Sequence, residues 1–169
     1  MHKWINKIYI DILNDKQIFL NLKQIEISTS NLQIFIDSNI ICPNIEELKL
    51  YIDNNFYYEK KVFEIFQNII SLKLHFHYSC NLTDIIKYII NLKIKNLEIY
   101  DLYNYTFRYK INKSKIILSN ITTLIIYSNI QVFLQIFDNL QFTNLQNFQI
   151  IINSIKRKNF YINYDFVNE

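Results

Sequence analysis

The chain has 169 residues, half of them hydrophobic and 16% aromatic, with a formal charge of +3. That length and apolar content suit one domain with its own core and exclude a disordered tail. Glycine is absent, which excludes the glycine-rich phosphate loop, the dinucleotide fingerprint and the nucleophile elbow, because each needs glycine's backbone freedom.

No apolar run is long enough to span a membrane. The charge is too small and too mixed in sign to point to nucleic acid. Alanine is also absent, and Pro43, Arg108 and Arg157 are the only residues of their kinds, against 35 Ile and 23 Asn. The depleted residues are those with GC-rich codons, as expected of an AT-rich genome, so positions carry more information than counts.

Residues 1–14 read as an N-terminal cap. Over residues 1–15, Lys3, Lys7, Asp11 and Asp15 interrupt the apolar residues, so no clean signal-peptide core is expected. Trp4 is placed to shield the first strand. From Ile5 onward the pattern apolar-x-x-apolar-x-apolar recurs. It falls on Ile5-Ile8-Ile10, Leu22-Ile25-Ile27, Ile45-Leu48-Leu50, Ile69-Leu72-Leu74, Ile94-Leu97-Ile99, Ile121-Leu124-Ile126 and Leu145-Phe148-Ile150. Successive last anchors are 17, 23, 24, 25, 27 and 24 residues apart. Isolated matches come easily in an Ile-rich chain, but five consecutive gaps of 23 to 27 define a repeat.

Between anchors the period changes to three and four residues. Leu32, Phe35, Ile36 and Ile40 show it, as do Val62, Phe63, Phe66, Ile69 and Ile70. The same spacing returns at Leu82, Ile85, Ile86, Ile89 and Ile90, and at Ile130, Phe133, Leu134 and Phe137. Each set is the apolar stripe of a short amphipathic helix, with Asn31, Asn81 and Asn129 at the expected N-caps. Residues 102–120 fit neither period and are expected to be irregular or a small β excursion. At the C-terminus, Lys156-Arg157-Lys158 reads as a solvated loop before a strand at Phe160–Phe166. Alternation of strand and helix every two dozen residues gives parallel strands with right-handed crossovers, stacked neighbour on neighbour.

These segments resemble the leucine-rich repeat family. Ile121-Thr122-Thr123-Leu124-Ile125-Ile126-Tyr127-Ser128-Asn129 is similar to its strand signature L-x-x-L-x-L-x-x-N. Cys42-Pro43-Asn44-Ile45-Glu46-Glu47-Leu48-Lys49-Leu50 resembles the phrase of the cysteine-containing subfamily seen in F-box proteins, and Leu82-Thr83-Asp84 resembles that subfamily's helix start. Asn129 and Asn153 match the Asn position, whereas Ser30, Asp53, His77 and Leu102 depart from it. No F-box precedes the repeats, so a ubiquitin-ligase role is not implied. The resemblance implies an α/β leucine-rich-repeat solenoid: a short arc of six or seven parallel strands, with helices on its convex side. Residues 1–169 then form a single domain, with repeats over 15–153 between the 1–14 cap and a 154–169 cap.

Projected on that fold, the position after each last anchor reads Asp11, Ser28, Tyr51, His75, Tyr100, Tyr127 and Ile151. The position before it reads Tyr9, Glu26, Lys49, Lys73, Glu98, Ile125 and Gln149. Both rows belong to the concave face. Tyr51, His75, Tyr100 and Tyr127 are expected as an exposed aromatic row beside Lys49, Lys73 and Glu98. Aromatics rimmed by charge are a common hot-spot composition, although strands favour tyrosine for its own sake.

His75, His77 and Cys80 share a short segment, but a complete tetrahedral ligand set is not visible, so no metal is expected. Cys42 reads as a small buried apolar group, since no histidine is patterned beside it as a base. Two isolated cysteines, Cys42 and Cys80, fit a reducing, cytoplasmic compartment and should not be bridged.

The expected function is non-catalytic protein–protein interaction through the concave face, without cofactor, small-molecule substrate, nucleic acid or membrane span. The expectation from another class is an obligate structural subunit of a larger protein assembly. No nucleophile–base, metal or phosphate motif supports an enzyme.

Overall fold

A computed structural model describes residues 20–37, 40–52, 64–76, 85–86, 89–90, 92–101, 115–129, 134, 136–138, 140–153 and 159–165, with 153 and 159–165 described by their backbone. The fold is α/β. Six strands lie parallel and side by side: β1 (Gln24–Ser28), β2 (Glu47–Ile52), β3 (Ser71–Phe76), β4 (Asn96–Asp101), β6 (Thr123–Ser128) and β8 (Asn147–Asn153). A seventh, β9 (Asn159–Asp165), closes the sheet antiparallel to β8. A second sheet pairs β5 (Ile116–Leu118) with β7 (Leu140–Phe142), also in parallel.

The pairing register matches the sequence repeat residue for residue. Ile25, Leu48, Leu72, Leu97, Leu124 and Phe148 pair in one row, and Ile27, Leu50, Leu74, Ile99, Ile126 and Ile150 in the next. In β2, β3, β4 and β6 burial alternates strictly along the strand, as a side-chain period of two demands. Leu48, Leu50, Leu72, Leu74, Leu97, Ile99, Leu124 and Ile126 are wholly buried. Each such aliphatic chain contributes about 1.5–3 kcal/mol of transfer free energy.

The layer behind this row comes from the segments between strands. The helix α1 (Thr29–Asp37) follows β1 without a loop and buries Leu32 and Phe35 against the sheet. Its first turn is capped by Ser28, whose Oγ accepts the Asn31 N–H at 3.3 Å. The expected cap at Asn31 is thus displaced by three residues. Ser28 ends the strand with a hydroxyl already aimed at the helix, so the cap forms at the strand–helix junction. Asn81 lies outside the described residues.

The stripe expected to be helical through Ile70 is helical at 64–65 and then turns at 67–68. Ile69 is the wholly buried anchor leading into β3 that the repeat pattern also assigned. Residues 85–86 and 136–138 are helical as expected, and Ile85, Ile86 and Ile136 are buried. The excursion expected in 102–120 supplies β5. The strand expected at Ile5–Ile10 lies outside the described residues. No helix among the described residues is long and apolar enough to cross a membrane.

Two polar ladders fix the spacing between units. The carbonyl of Lys23 accepts the N–H groups of Glu46 and Glu47, and that of Glu46 accepts those of Ile70 and Ser71. Ile70, Lys95 and Thr122 accept from the next unit in the same way. One turn earlier, asparagine side chains form a second series. Asn44 Nδ2 donates to the Leu20 carbonyl at 2.5 Å and Asn68 Nδ2 to Pro43 at 2.7 Å. Asn120 Nδ2 donates to Leu92 at 3.1 Å and Asn144 Nδ2 to Ser119 at 2.7 Å. Each satisfies a main-chain carbonyl in the segment just ahead of a neighbouring strand.

Candidate interaction face of the parallel sheet

Residues that alternate with the core anchors define the opposite, polar face. Register sets three parallel rows across it. The first is Gln24, Glu47, Ser71, Asn96, Thr123 and Asn147. The second is Glu26, Lys49, Lys73, Glu98, Ile125 and Gln149. The third is Ser28, Tyr51, His75, Tyr100, Tyr127 and Ile151. Both rows projected from the sequence are therefore assembled, and Tyr51, His75, Tyr100, Tyr127, Lys49, Lys73 and Glu98 share one surface.

The four aromatic rings form a stack. Tyr51 and His75 have centroids 4.8 Å apart with planes tilted by 35°. His75 and Tyr100 stack at 4.1 Å and 7°, and Tyr100 and Tyr127 at 4.1 Å and 9°. The cause is geometric: strands about 4.8 Å apart hold equivalent residues at nearly the contact distance of stacked rings. Stacking has a consequence for access. All four residues are half-buried rather than exposed, because neighbouring rings cover one another's faces. The expectation of an exposed row is corrected to one presenting mainly ring edges.

The charged row is knitted into the same surface. Lys49 Nζ lies 3.3 Å from Glu26 and 5.0 Å from the Tyr51 ring centroid. Lys73 Nζ bridges Glu47 at 2.9 Å and Glu98 at 3.5 Å. The Tyr51 hydroxyl donates to Glu26 and the Tyr100 hydroxyl to Glu98, each at 2.5 Å. The Tyr51 hydrogen bond, with Lys49 beside it, holds the Glu26 carboxyl below its ordinary value. Hydrogen bonds with Tyr51 and Glu26 raise the Lys49 ammonium, and those with Glu47 and Glu98 raise that of Lys73. Burial, then the Glu98 carboxylate, pushes the Tyr100 phenol far up. At neutral pH this network has three carboxylates and two ammonium groups, a preorganised surface of slightly negative charge.

The two sides of the face differ. From β1 to β4 it is charged. On β6 and β8 the equivalent positions hold Ile125, Gln149, Tyr127 and Ile151, with no ionisable group besides the tyrosine phenol. Glu47 and the asparagine ladder escaped the sequence reading. The ladder does leave a signal, because Asn precedes the first anchor in Asn21-Leu22, Asn44-Ile45, Asn68-Ile69, Asn120-Ile121 and Asn144-Leu145.

Elsewhere, a cavity of about 540 Å³ lies at the far end of α1, lined by Phe35, Ile36, Ile40, Ile41, Glu64, Ile65 and Gln67. Its lining holds no nucleophile paired with a base. Cys42 is a free, wholly buried thiol, and burial pushes its pKa up to about 11. His77 and Cys80 lie outside the described residues, and no group of three potential metal ligands occurs among the described ones. Comparison with known proteins finds no matching family model, no similar curated protein and no matching solved structure.

Proposed function

We propose that this chain is a non-catalytic protein-binding module of the leucine-rich-repeat kind, which engages a protein partner across the polar face of its sheet. In this reading the six parallel strands form a short solenoid arc and the polar face is its concave side. The observation that carries it is the four-ring stack rimmed by Lys49, Lys73, Glu26, Glu47 and Glu98 on rigid, register-matched strands. Rigid aromatic groups cost little ordering entropy on binding, and charge at the rim selects the partner and steers its approach. The compartment proposed is the cytoplasm, in keeping with the free Cys42 thiol.

The test is affinity purification from native cells with the parent and with Tyr100→Ala as bait. Partner recovery should fall with Tyr100→Ala, corresponding to about 1–4 kcal/mol of lost affinity. The control is Ile117→Ala, at an exposed position of the second sheet, and it should bind as the parent does. Equal recovery with Tyr100→Ala and the parent would remove the reading's main support.

The alternative is an obligate structural subunit. It is favoured by exposed Ile41, Ile117 and Leu134, which lie off the polar face. Single exposed aliphatics are common on monomers, however. A chain that stays soluble and folded without any partner excludes the alternative.

A further inference from the structure

We infer that Tyr100 and Tyr127 are an oxidative cross-linking pair, which a one-electron oxidant joins through a carbon–carbon bond into a dityrosine that ties β4 to β6. The inference rests on the geometry of the rings and stands apart from partner binding. Register decides which phenols can meet. The row reads Ser28, Tyr51, His75, Tyr100, Tyr127 and Ile151. Tyr51 lies between Ser28 and His75, so Tyr100 and Tyr127 are the pair of tyrosines on adjacent strands of this row. Their centroids are 4.1 Å apart and their planes 9° from parallel, close to van der Waals contact. That face-to-face approach brings together the ring carbons beside each phenol oxygen, where an oxidised phenol carries much of its unpaired spin.

Oxidation also needs a destination for the proton, because a phenol that loses an electron becomes a strong acid. The Tyr100 hydroxyl donates to Glu98 at 2.5 Å, and Lys73 Nζ, 3.5 Å from that carboxylate, holds it in place. Burial, then the Glu98 hydrogen bond, keeps the Tyr100 phenol protonated at neutral pH. Its electron and proton therefore leave together, with Glu98 as the base. The Tyr127 phenol hydrogen-bonds with that of Tyr100. Since the single Tyr100 proton is committed to Glu98, Tyr127 is the donor in that second bond. His75 stacks on Tyr100 from the other side at 4.1 Å. Imidazole is much harder to oxidise than phenol, so the radical stays on the tyrosine pair.

The step balances with two equivalents of oxidant. The first takes an electron from Tyr100, whose proton passes to Glu98. The second takes an electron from Tyr127, whose proton leaves to solvent. The two phenoxyl radicals join at the carbons beside their oxygens. Each joined carbon then loses its hydrogen as a proton while its oxygen regains one, which restores both phenols. In all, two electrons and two protons leave, and the new bond fixes β4 against β6 within the polar face. The slight negative charge of that face favours the approach of a cationic oxidant.

The experiment oxidises the full chain with tris(bipyridine)ruthenium(III), a cationic one-electron oxidant generated by light and persulfate. The chain is kept at about 1 μM, so that coupling within one molecule outruns coupling between molecules. The product is digested and mapped by mass spectrometry. Folded protein should yield a peptide pair joined at Tyr100 and Tyr127, lighter than its two parts by two hydrogen atoms, and the chain in urea should not. Tyr100→Phe and Tyr127→Phe should each abolish this link, and Tyr51→Phe should leave it unchanged. Glu98→Gln keeps the size of the side chain but not the base, and should slow the coupling at least about tenfold. Circular dichroism melting of each variant separates lost coupling from lost folding, and the phenylalanine variants retain the rings of the row. Absence of the Tyr100–Tyr127 link from the folded parent, or an equal yield of it in urea, would overturn the inference. A folded Glu98→Gln variant that couples at the parent's rate would overturn the role of Glu98. Partner capture through the polar face is scored separately by Tyr100→Ala.

Discussion

Leu74 sits at the centre of its row, wholly buried between Leu50 and Ile99. Leu74→Ala removes buried methyl groups and leaves a cavity, and should cost about 2–5 kcal/mol in chemical denaturation. Leu74→Asp adds an unpaired carboxylate and should cost more, since that group must either neutralise or unfold its surroundings. A melting temperature unchanged by Leu74→Asp would contradict the register. Cys42 gives a second check at the same scale. With its pKa pushed up to about 11, the thiol is almost wholly protonated at neutral pH, and its sulfur is out of solvent. Native protein should therefore react with a thiol reagent at Cys42 only as fast as it opens, and the denatured chain should react at once. Rapid labelling of Cys42 in the native state would refute its burial.

Among the elements, the strands were legible because period two leaves a mark that composition bias cannot produce. An AT-rich codon bias scatters Ile widely, but it does not place Leu48, Leu72, Leu97 and Leu124 in one register. The segments between strands were less legible. In sequence Ile69 fitted both a helical stripe and the anchor triplet Ile69-Leu72-Leu74, and the structure keeps only the anchor. Its burial against the stacked core outweighs a short helix that would be marginal alone. The helix cap was misplaced for a related reason: Ser28 belongs to a strand by pattern and to a helix by hydrogen bond. Ser28→Ala should cost about 0.5–2 kcal/mol. Asn120→Ala should cost about 0.5–1.5 kcal/mol, since it removes a side-chain hydrogen bond to the Leu92 carbonyl that water replaces only in part. Asn120→Asp should not rescue it, because a carboxylate has no N–H to offer the Leu92 carbonyl. Equal stability of Asn120→Asp and the parent would show that the ladder does not bear on folding.

At the scale of the whole molecule, the site's membership was legible and its state was not. Alignment alone brought Tyr51, His75, Tyr100 and Tyr127 into one row. That the row packs upon itself follows from strand spacing, and its half-burial followed only with the rings in place. Charge sets the pH response of the fold. Glu26 titrates lower in the folded chain than its ordinary 4.5, so its contribution is present above that value and is lost as pH falls through the folded one. Cys42 titrates higher, so its contribution is present below 9.0 and is lost between there and about 11. Lys49 and Lys73 titrate above 10.5, so theirs is lost only at still higher pH. Melting temperature should thus form a plateau from about pH 5 to 9, with a shoulder on the alkaline side that Cys42→Ala abolishes. The acid limb should be shallow and flattened by salt, because the Glu26 pair is largely exposed. A profile that climbs steadily from neutral to alkaline pH would have the wrong sign.

The ring stack also has an optical consequence. The Tyr100 and Tyr127 chromophores lie parallel at 4.1 Å, close enough for their transition dipoles to couple. Their shared near-ultraviolet absorption should split into a dichroic couplet, and emission from either phenol should be quenched by the other. Any molecule that wedges between strands β4 and β6 or tilts either ring will break that coupling. The protein thus carries an intrinsic, label-free reporter at the centre of the proposed interaction face.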